Sequence, residues 1–317
     1  MTTASRACGA ISHASFINRW PISTALIRAV AFGLGLVIGA AAAAAASTSW
    51  NKDHASQTRL IVGSQPTDTG TAMFAGLQIK LKPGWKTYWH NPGNSGGIPP
   101  QFDWSKSVNV ARLTVFYPAP ERMEDETGVT FGYKNDVTFP MLVEAIDPQK
   151  PMVLRVAFHF GVCEKICVPA FSDHALDIAP GSVISSPIAI SRALQAVAVG
   201  AGLPAGTTFG GQAKAPRVDG PARWSKDGKA LVVTLQRSSA AASRGANVAV
   251  FVFPHQTGGI FYGVPDPVEL APDQTAIDVR LPLLVDDPKR ALSGQQLTVT
   301  IKGPGGAREQ AVTLPQP

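Results

Sequence analysis

Cysteine is scarce, with three residues in 317, and that excludes a disulfide-dense mini-scaffold. Charged residues make up only 16% of the chain, which excludes an acidic or basic disordered tail protein. Lys and Arg form no cluster, so no nucleic acid is expected as a partner. Of the net charge of +6, half comes from Arg6, Arg19 and Arg28, which all precede the first acidic residue, Asp53. Rossmann and P-loop glycine patterns are missing, as are Ser-His-Asp and paired-carboxylate hydrolase signatures. After residue 50 no apolar run is long enough to span a bilayer. Glycine and proline are plentiful, at 30 and 26 residues, which favours many turns and short strands over long helices.

The first 46 residues have the parts of a secretory signal: a basic start, an apolar stretch from Ala29 to Ala40, and an alanine run to Ala46. Cleavage is expected near Ala46, so Cys8 leaves with the signal. An uncleaved N-terminal anchor is the competing reading, since Ala29 to Ala46 reaches 18 residues. With no Arg-Arg pair, twin-arginine export is not expected. The mature chain is therefore expected in the periplasm without a membrane span, keeping only Cys163 and Cys167 where disulfides can form.

From Leu60 to Ile178 apolar and polar residues alternate, as in Leu77/Ile79/Leu81 and Leu154/Val156/Phe158/Phe160/Val162. Period-two runs broken by Lys82-Pro83-Gly84, Asn91-Pro92-Gly93 and Asp147-Pro148 predict half-buried antiparallel strands. A short helix is predicted next, with Ser186 capping, Pro187 at the first helical position, and Ile188, Leu194 and Val197 on one side. Further alternation at Leu231/Val233/Leu235, Val248/Val250/Val252 and Leu297/Val299/Ile301 predicts a second β-region. The expected fold is all-β. A signal peptide (1–46) precedes two sandwich domains (47–183 and 205–317) joined by a short helical linker (184–204).

Cys163 and Cys167 are four residues apart, about 13 Å in a continuous strand at 3.3 Å per residue. A disulfide needs Cα atoms within about 7 Å, so bonding requires a turn at Glu164-Lys165-Ile166. A hairpin with that three-residue loop would place the flanking pair about 4.5–5.5 Å apart. Strand parity puts Cys163 on the face of Arg155, Ala157 and His159, so it is expected near the surface. As a staple such a bridge is weak: the chain-entropy model gives about 2 kcal/mol for so short a loop, against about 4.7 for a 100-residue loop. Two cysteines in one turn also make a two-electron switch. A third reading is a thiolate–imidazole site for Cu(I) or Zn²⁺ that adds His159 or His174, although the spacing matches no standard zinc pattern.

Three blocks resemble the periplasmic N-terminal domain of the thiol:disulfide interchange protein DsbD, and especially the related ScsB-type proteins linked to copper tolerance. They are Leu81-Lys82-Pro83-Gly84-Trp85-Lys86-Thr87-Tyr88-Trp89, the stretch from Pro118 through Gly128 to Pro140, and Val156 through Cys163-Glu164-Lys165-Ile166-Cys167 to Pro169. The resemblance covers roughly residues 60–180. It implies an immunoglobulin-like fold and a thiol:disulfide oxidoreductase with no cofactor. Cys167 would form the mixed disulfide and Cys163 would resolve it. Electrons would come from a DsbD- or CcdA-like membrane carrier and pass to thioredoxin-like or other exported proteins. The loop Glu124-Asp125-Glu126-Thr127-Gly128 would cover the cysteines. Glu126 stands where the best-known members place a shielding aromatic, so shielding is expected from Phe131 or Tyr133, or is expected to be weaker. From the residues themselves, Trp85, Tyr88 and Trp89 are expected to pack in the core or at an edge, the competing reading being an aromatic wall beside the cysteines, and His159 with Lys165 would favour a neighbouring thiolate. The resemblance also implies that a separate protein carries electrons across the membrane. The alternative is a non-enzymatic copper-binding module, or one serving cytochrome c or oxidase maturation.

Overall fold

The structure, a computed structural model, describes residues 47–315 except 181, 183, 185, 208–214, 238–247, 256–262, 272–273, 285–295 and 304. The expected signal, with Cys8, lies outside the described residues.

Alternation becomes two sheets around one core. The first sheet runs in the order β1 (Asn51–Lys52), β2 (Ser56–Thr67), β3 (Gly70–Leu81), β9 (Asp136–Ala145) and β6 (Val110–Val115), all antiparallel. The second runs β11 (Cys167–Ile178), β10 (Met152–Cys163), β4 (Lys86–Gly93), β8 (Gly128–Lys134) and β7 (Glu121–Asp125), with β5 (Gln101–Asp103) also paired to β10. Leu60, Leu77 and Phe139 of the first sheet meet Phe131, Phe158 and Phe160 of the second in one apolar cluster. Burying each of these side chains stabilises the fold by about 1.5–3 kcal/mol, which offsets the entropy of ordering the strands.

Parity then fixes the opposite face. On β10 the even residues from Leu154 to Val162 enter the core. The odd residues of that strand and their partners on β11 line the outer face as the pairs His159/Phe171, Gly161/Pro169 and Cys163/Cys167.

The predicted helix exists as α1 (Ile188–Ala196), with two corrections. Pro187 is the N-cap and no side chain caps the helix, because the Ser186 hydroxyl is bonded to the Gln65 amide. Ile188 is exposed, and Ile190 with Leu194 and Val197 forms the buried side against Ile61, Phe74 and Phe116. That side docks the helix onto the first sheet.

The later strands form two more sheets. One contains β12 (Arg217–Val218), β14 (Ala230–Gln236) and β13 (Arg223–Trp224), with β17 (Ala276–Pro282) on β14. The other runs β16 (Val268–Leu270), β15 (Val248–Pro254), β18 (Gln296–Gly303) and β19 (Gly306–Thr313). Leu231, Val233 and Leu281 meet Leu297, Val299 and Ile301 in a second core. All described residues belong to one compact unit, and Phe253 of β15 packs in the first core rather than the second.

Candidate functional site

Cys163 ends β10 and Cys167 begins β11, and the two face each other as the last pair of the hairpin. Glu164, Lys165 and Ile166 make the exposed loop between them. The sulfurs are bonded, with the Cα atoms 4.1 Å apart. Such a close approach suits a pair that exchanges no backbone hydrogen bonds.

The two sulfurs sit in unequal surroundings. Cys167 is exposed, whereas Cys163 is only 5% exposed, which corrects the expectation that it lies near the surface. Strand parity does put Cys163 on the outer face. However, the end of β10 is flanked by Cys167 on one side and by Lys86 of β4 on the other, and the β7–β8 hairpin tip closes the same cleft. β11 lies at the edge of its sheet, so Cys167 keeps an open side.

The cleft has a volume of about 630 Å³, and Cys163 and Cys167 share it with Lys86, Tyr88, Asp125 and Glu126. Parity along Trp85-Lys86-Thr87-Tyr88-Trp89 explains which of these residues arrive: Lys86 and Tyr88 face the cleft, while Trp85 and Trp89 pack with the core. The Tyr88 ring lies close over Gly97 and Gly161; a Cβ at Gly97 would come within 2.3 Å of it. Its hydroxyl sits 2.9 Å from Cys167 Sγ. A disulfide sulfur has no proton, so the hydroxyl donates. Burial, and then the nearby Asp125 carboxylate, push the Tyr88 phenol above its usual value, so it keeps that proton at neutral pH.

Lys86 holds the hairpin tip. Its ammonium lies 2.6 Å from Asp125 Oδ2 and 3.0 Å from Thr130 Oγ1, and Thr130 in turn meets Ser95 Oγ at 2.6 Å. The Lys86 contact, followed by the Thr127 hydroxyl and amide, holds the Asp125 carboxyl well below the usual carboxylate range. Sequence reasoning passed over Lys86. Its parity with Tyr88 in the five-residue run was the available signal.

Several expected residues lie elsewhere. Phe131 packs on Phe253, with ring centroids 4.9 Å apart. Tyr133 sends its hydroxyl to Pro118 O at 2.7 Å and its ring to Phe139. Odd parity on β8 turns both into the core, so neither shields the cysteines. Trp85 stands edge-on to His54. Glu124 pairs with Arg122 at 2.6 Å on the surface. His159 stacks on Phe171 at 4.3 Å, four residues and so about 13 Å along the strand from Cys163. His174 turns inward to Thr58 Oγ1 at 3.0 Å and Thr48 Oγ1 at 3.2 Å. The imidazoles needed by the metal reading are therefore committed away from the sulfurs. Among the described residues no group of three His, Cys, Asp or Glu side chains is placed to hold a metal ion.

Comparison with known proteins follows the same geometry. No curated protein matches the chain. The crystal structure of the N-terminal periplasmic domain of ScsB from Proteus mirabilis superposes with a TM-score of 0.61 at 22% identity, covering 86% of this chain and all of that one. The reduced N-terminal domain of DsbD from Neisseria meningitidis is matched at 15% identity over 33% of this chain and 75% of that one, with a TM-score of 0.23. The first of these shows a shared all-β, immunoglobulin-like fold. Residues 58–177 match the family model described as "Thiol:disulfide interchange protein DsbD, N-terminal", and this part of the chain, which contains both cysteines, is a domain of that family.

Proposed function

We propose that the protein is a periplasmic thiol:disulfide oxidoreductase that takes reducing equivalents from a membrane electron carrier and passes them to thioredoxin-like or other exported proteins. One observation carries this reading: a bonded cysteine pair with one sulfur open to solvent and the other covered. The membership of residues 58–177 supports it. Among the described residues no helix is long and apolar enough to cross a membrane. The division into a signal (1–46), an exchange domain (47–183), a helical connection (184–204) and a second immunoglobulin-like domain (205–317) belongs to the same proposal.

In the reduction half, a donor thiolate attacks Cys167 Sγ. The Cys163–Cys167 bond breaks, a donor–Cys167 disulfide forms, and Cys163 leaves as a thiolate that takes a proton. The donor's second thiolate attacks its own sulfur in that mixed disulfide. It releases Cys167 and leaves the donor oxidised, with two electrons transferred. In the delivery half, the Cys167 thiolate attacks a substrate disulfide and Cys163 resolves the mixed species, so the substrate departs as a dithiol. The Tyr88 hydroxyl, already aimed at Cys167, donates to the thiolate when it forms and lowers the cost of that charge. The Lys86–Asp125 pair holds the covering hairpin tip in place between encounters.

Equilibration in defined dithiol/disulfide buffers tests the proposal. A reversible two-electron transition above about −300 mV is expected, because structural disulfides of exported proteins fall below that. A pair that stays oxidised throughout, and whose removal mainly lowers the melting temperature, would show a local clip instead.

A further inference from the structure

The hairpin that closes the cleft is gripped at its base by residues from the far end of the chain. Phe253 of β15, 1% exposed, packs edge-on to Phe131 of β8 at 4.9 Å and to Trp89 of β4 at 5.9 Å between ring centroids. Lys302 of β18 directs its ammonium to Pro120 O at 2.8 Å and Ala119 O at 3.3 Å, the two residues before β7. The Ala119 amide is bonded to Ala196 O at 2.8 Å, at the end of α1. On β4, Asn91 Nδ2 donates to Pro254 O at 2.5 Å.

Parity again divides the two faces. On β8, Thr130 meets Lys86 at the latch while Phe131 meets Phe253. On β4, Tyr88 meets Cys167 while Trp89 meets Phe253. The strands that carry the reactive surroundings thus carry the contacts of the later β-region on their other face. β7 is a five-residue edge strand whose only strand partner among the described residues is β8. On its other side β8 pairs with β4 at Lys86, Thr87 and Tyr88 and, past a register shift, at Gly93; this irregular pairing leaves the position of the hairpin dependent on what packs against its base.

We propose that residues 205–317 brace the β7–β8 hairpin through Phe253 and Lys302 and thereby set how readily the cleft over the Cys163–Cys167 disulfide opens. This rests on the reading of that hairpin as the cover of an exchange centre. Loosening the base makes local opening more populated, which admits water to the covered Cys163 sulfur, the leaving thiolate when a thiol attacks the exposed Cys167, and so speeds reduction.

The test uses the full chain with Phe253→Ala, Phe253→Leu and Lys302→Met. It reads the rate of reduction of the disulfide by dithiothreitol under native conditions, and amide hydrogen exchange at Val129, Thr130 and Phe131. Phe253→Ala is expected to speed reduction by about tenfold through more frequent local opening. Lys302→Met should do so by less, and Phe253→Leu should stay near wild type. The three amides should exchange faster in the same order. Folded Phe253→Ala or Lys302→Met protein with wild-type reduction and amide exchange would overturn the brace. If Phe253→Ala does not fold, Lys302→Met decides on the same two readouts. Failure of the exchange function looks different: the wild-type protein would never pass its disulfide to a protein partner, while its dithiothreitol kinetics still responded to these substitutions.

Discussion

The two β-regions solve the same packing problem and differ in what their outer faces do. Each places alternating apolar residues between two antiparallel sheets, Leu77, Phe139 and Phe158 in one and Leu231, Val279 and Leu297 in the other. On the outer face of the later region the named ion pairs stand in solvent, as with Arg223–Asp278 and Arg280–Asp227, and exposed pairs of this kind contribute little. On the outer face of the earlier region a hairpin folds over the end of β10. It removes Cys163 and Lys86 from water while leaving Cys167 reachable. The partial cover of the outer face is what makes two chemically identical sulfurs unequal.

The sharpest way to break this contrast is to remove the sulfurs one at a time. Cys167→Ser should abolish exchange altogether, whereas Cys163→Ser should still capture a protein partner and hold it as a mixed disulfide visible on a non-reducing gel. Equal behaviour of the two variants would erase the distinction between them.

Next comes the hydroxyl over Cys167. Tyr88→Phe removes a donor to a developing thiolate; hydrogen bonds to charged groups contribute about 1.5–3 kcal/mol, so alkylation of reduced protein at neutral pH should slow by about tenfold or more. The pH at which Cys167 becomes reactive should rise, since the thiolate loses its stabiliser. Gly97→Ala tests the same ring through packing: its Cβ would sit 2.3 Å from Tyr88. An overpacking cost of about 1–3 kcal/mol in denaturant unfolding is expected.

A smaller effect is expected at the latch. Asp125→Asn should modestly speed reduction by a small thiol, and added salt should bring the wild type toward the variant. The folded-state value of Asp125 is depressed, so its contribution is present above the ordinary carboxylate value and is lost as pH falls through the depressed one. The difference between wild type and Asp125→Asn should therefore vanish in strong acid. The smallest effect belongs to the later region's surface. Arg280→Ala should leave exchange and unfolding midpoint nearly unchanged, which confines the chemistry to the covered face.

Local periodicity made much of this legible. The alternation along β10 is local, and a bond between the two sulfurs, once supposed, requires the three-residue turn that the structure shows. The burial of Cys163 is not local, because parity names a face and cannot say what a segment some 40 residues upstream lays over it. Phe131 and Tyr133 are aromatic and close in sequence to the covering loop, yet their parity on β8 sends them to the core rather than over the cysteines. Glu126 does line the cleft, beside an ion pair rather than an aromatic screen. Ser186 had the chemistry of a helix cap, but a tertiary partner, Gln65, took its hydroxyl. The grip of Phe253 on Trp89 and Phe131 joins segments more than a hundred residues apart, beyond the range of any local pattern.

The inequality of the two sulfurs is tested most directly by treating the fully reduced chain with less than one equivalent of iodoacetamide and mapping the adduct by peptide mass spectrometry. The label should fall on Cys167, with Cys163 modified only after excess reagent or unfolding. Label divided evenly, or found first on Cys163, would contradict the account.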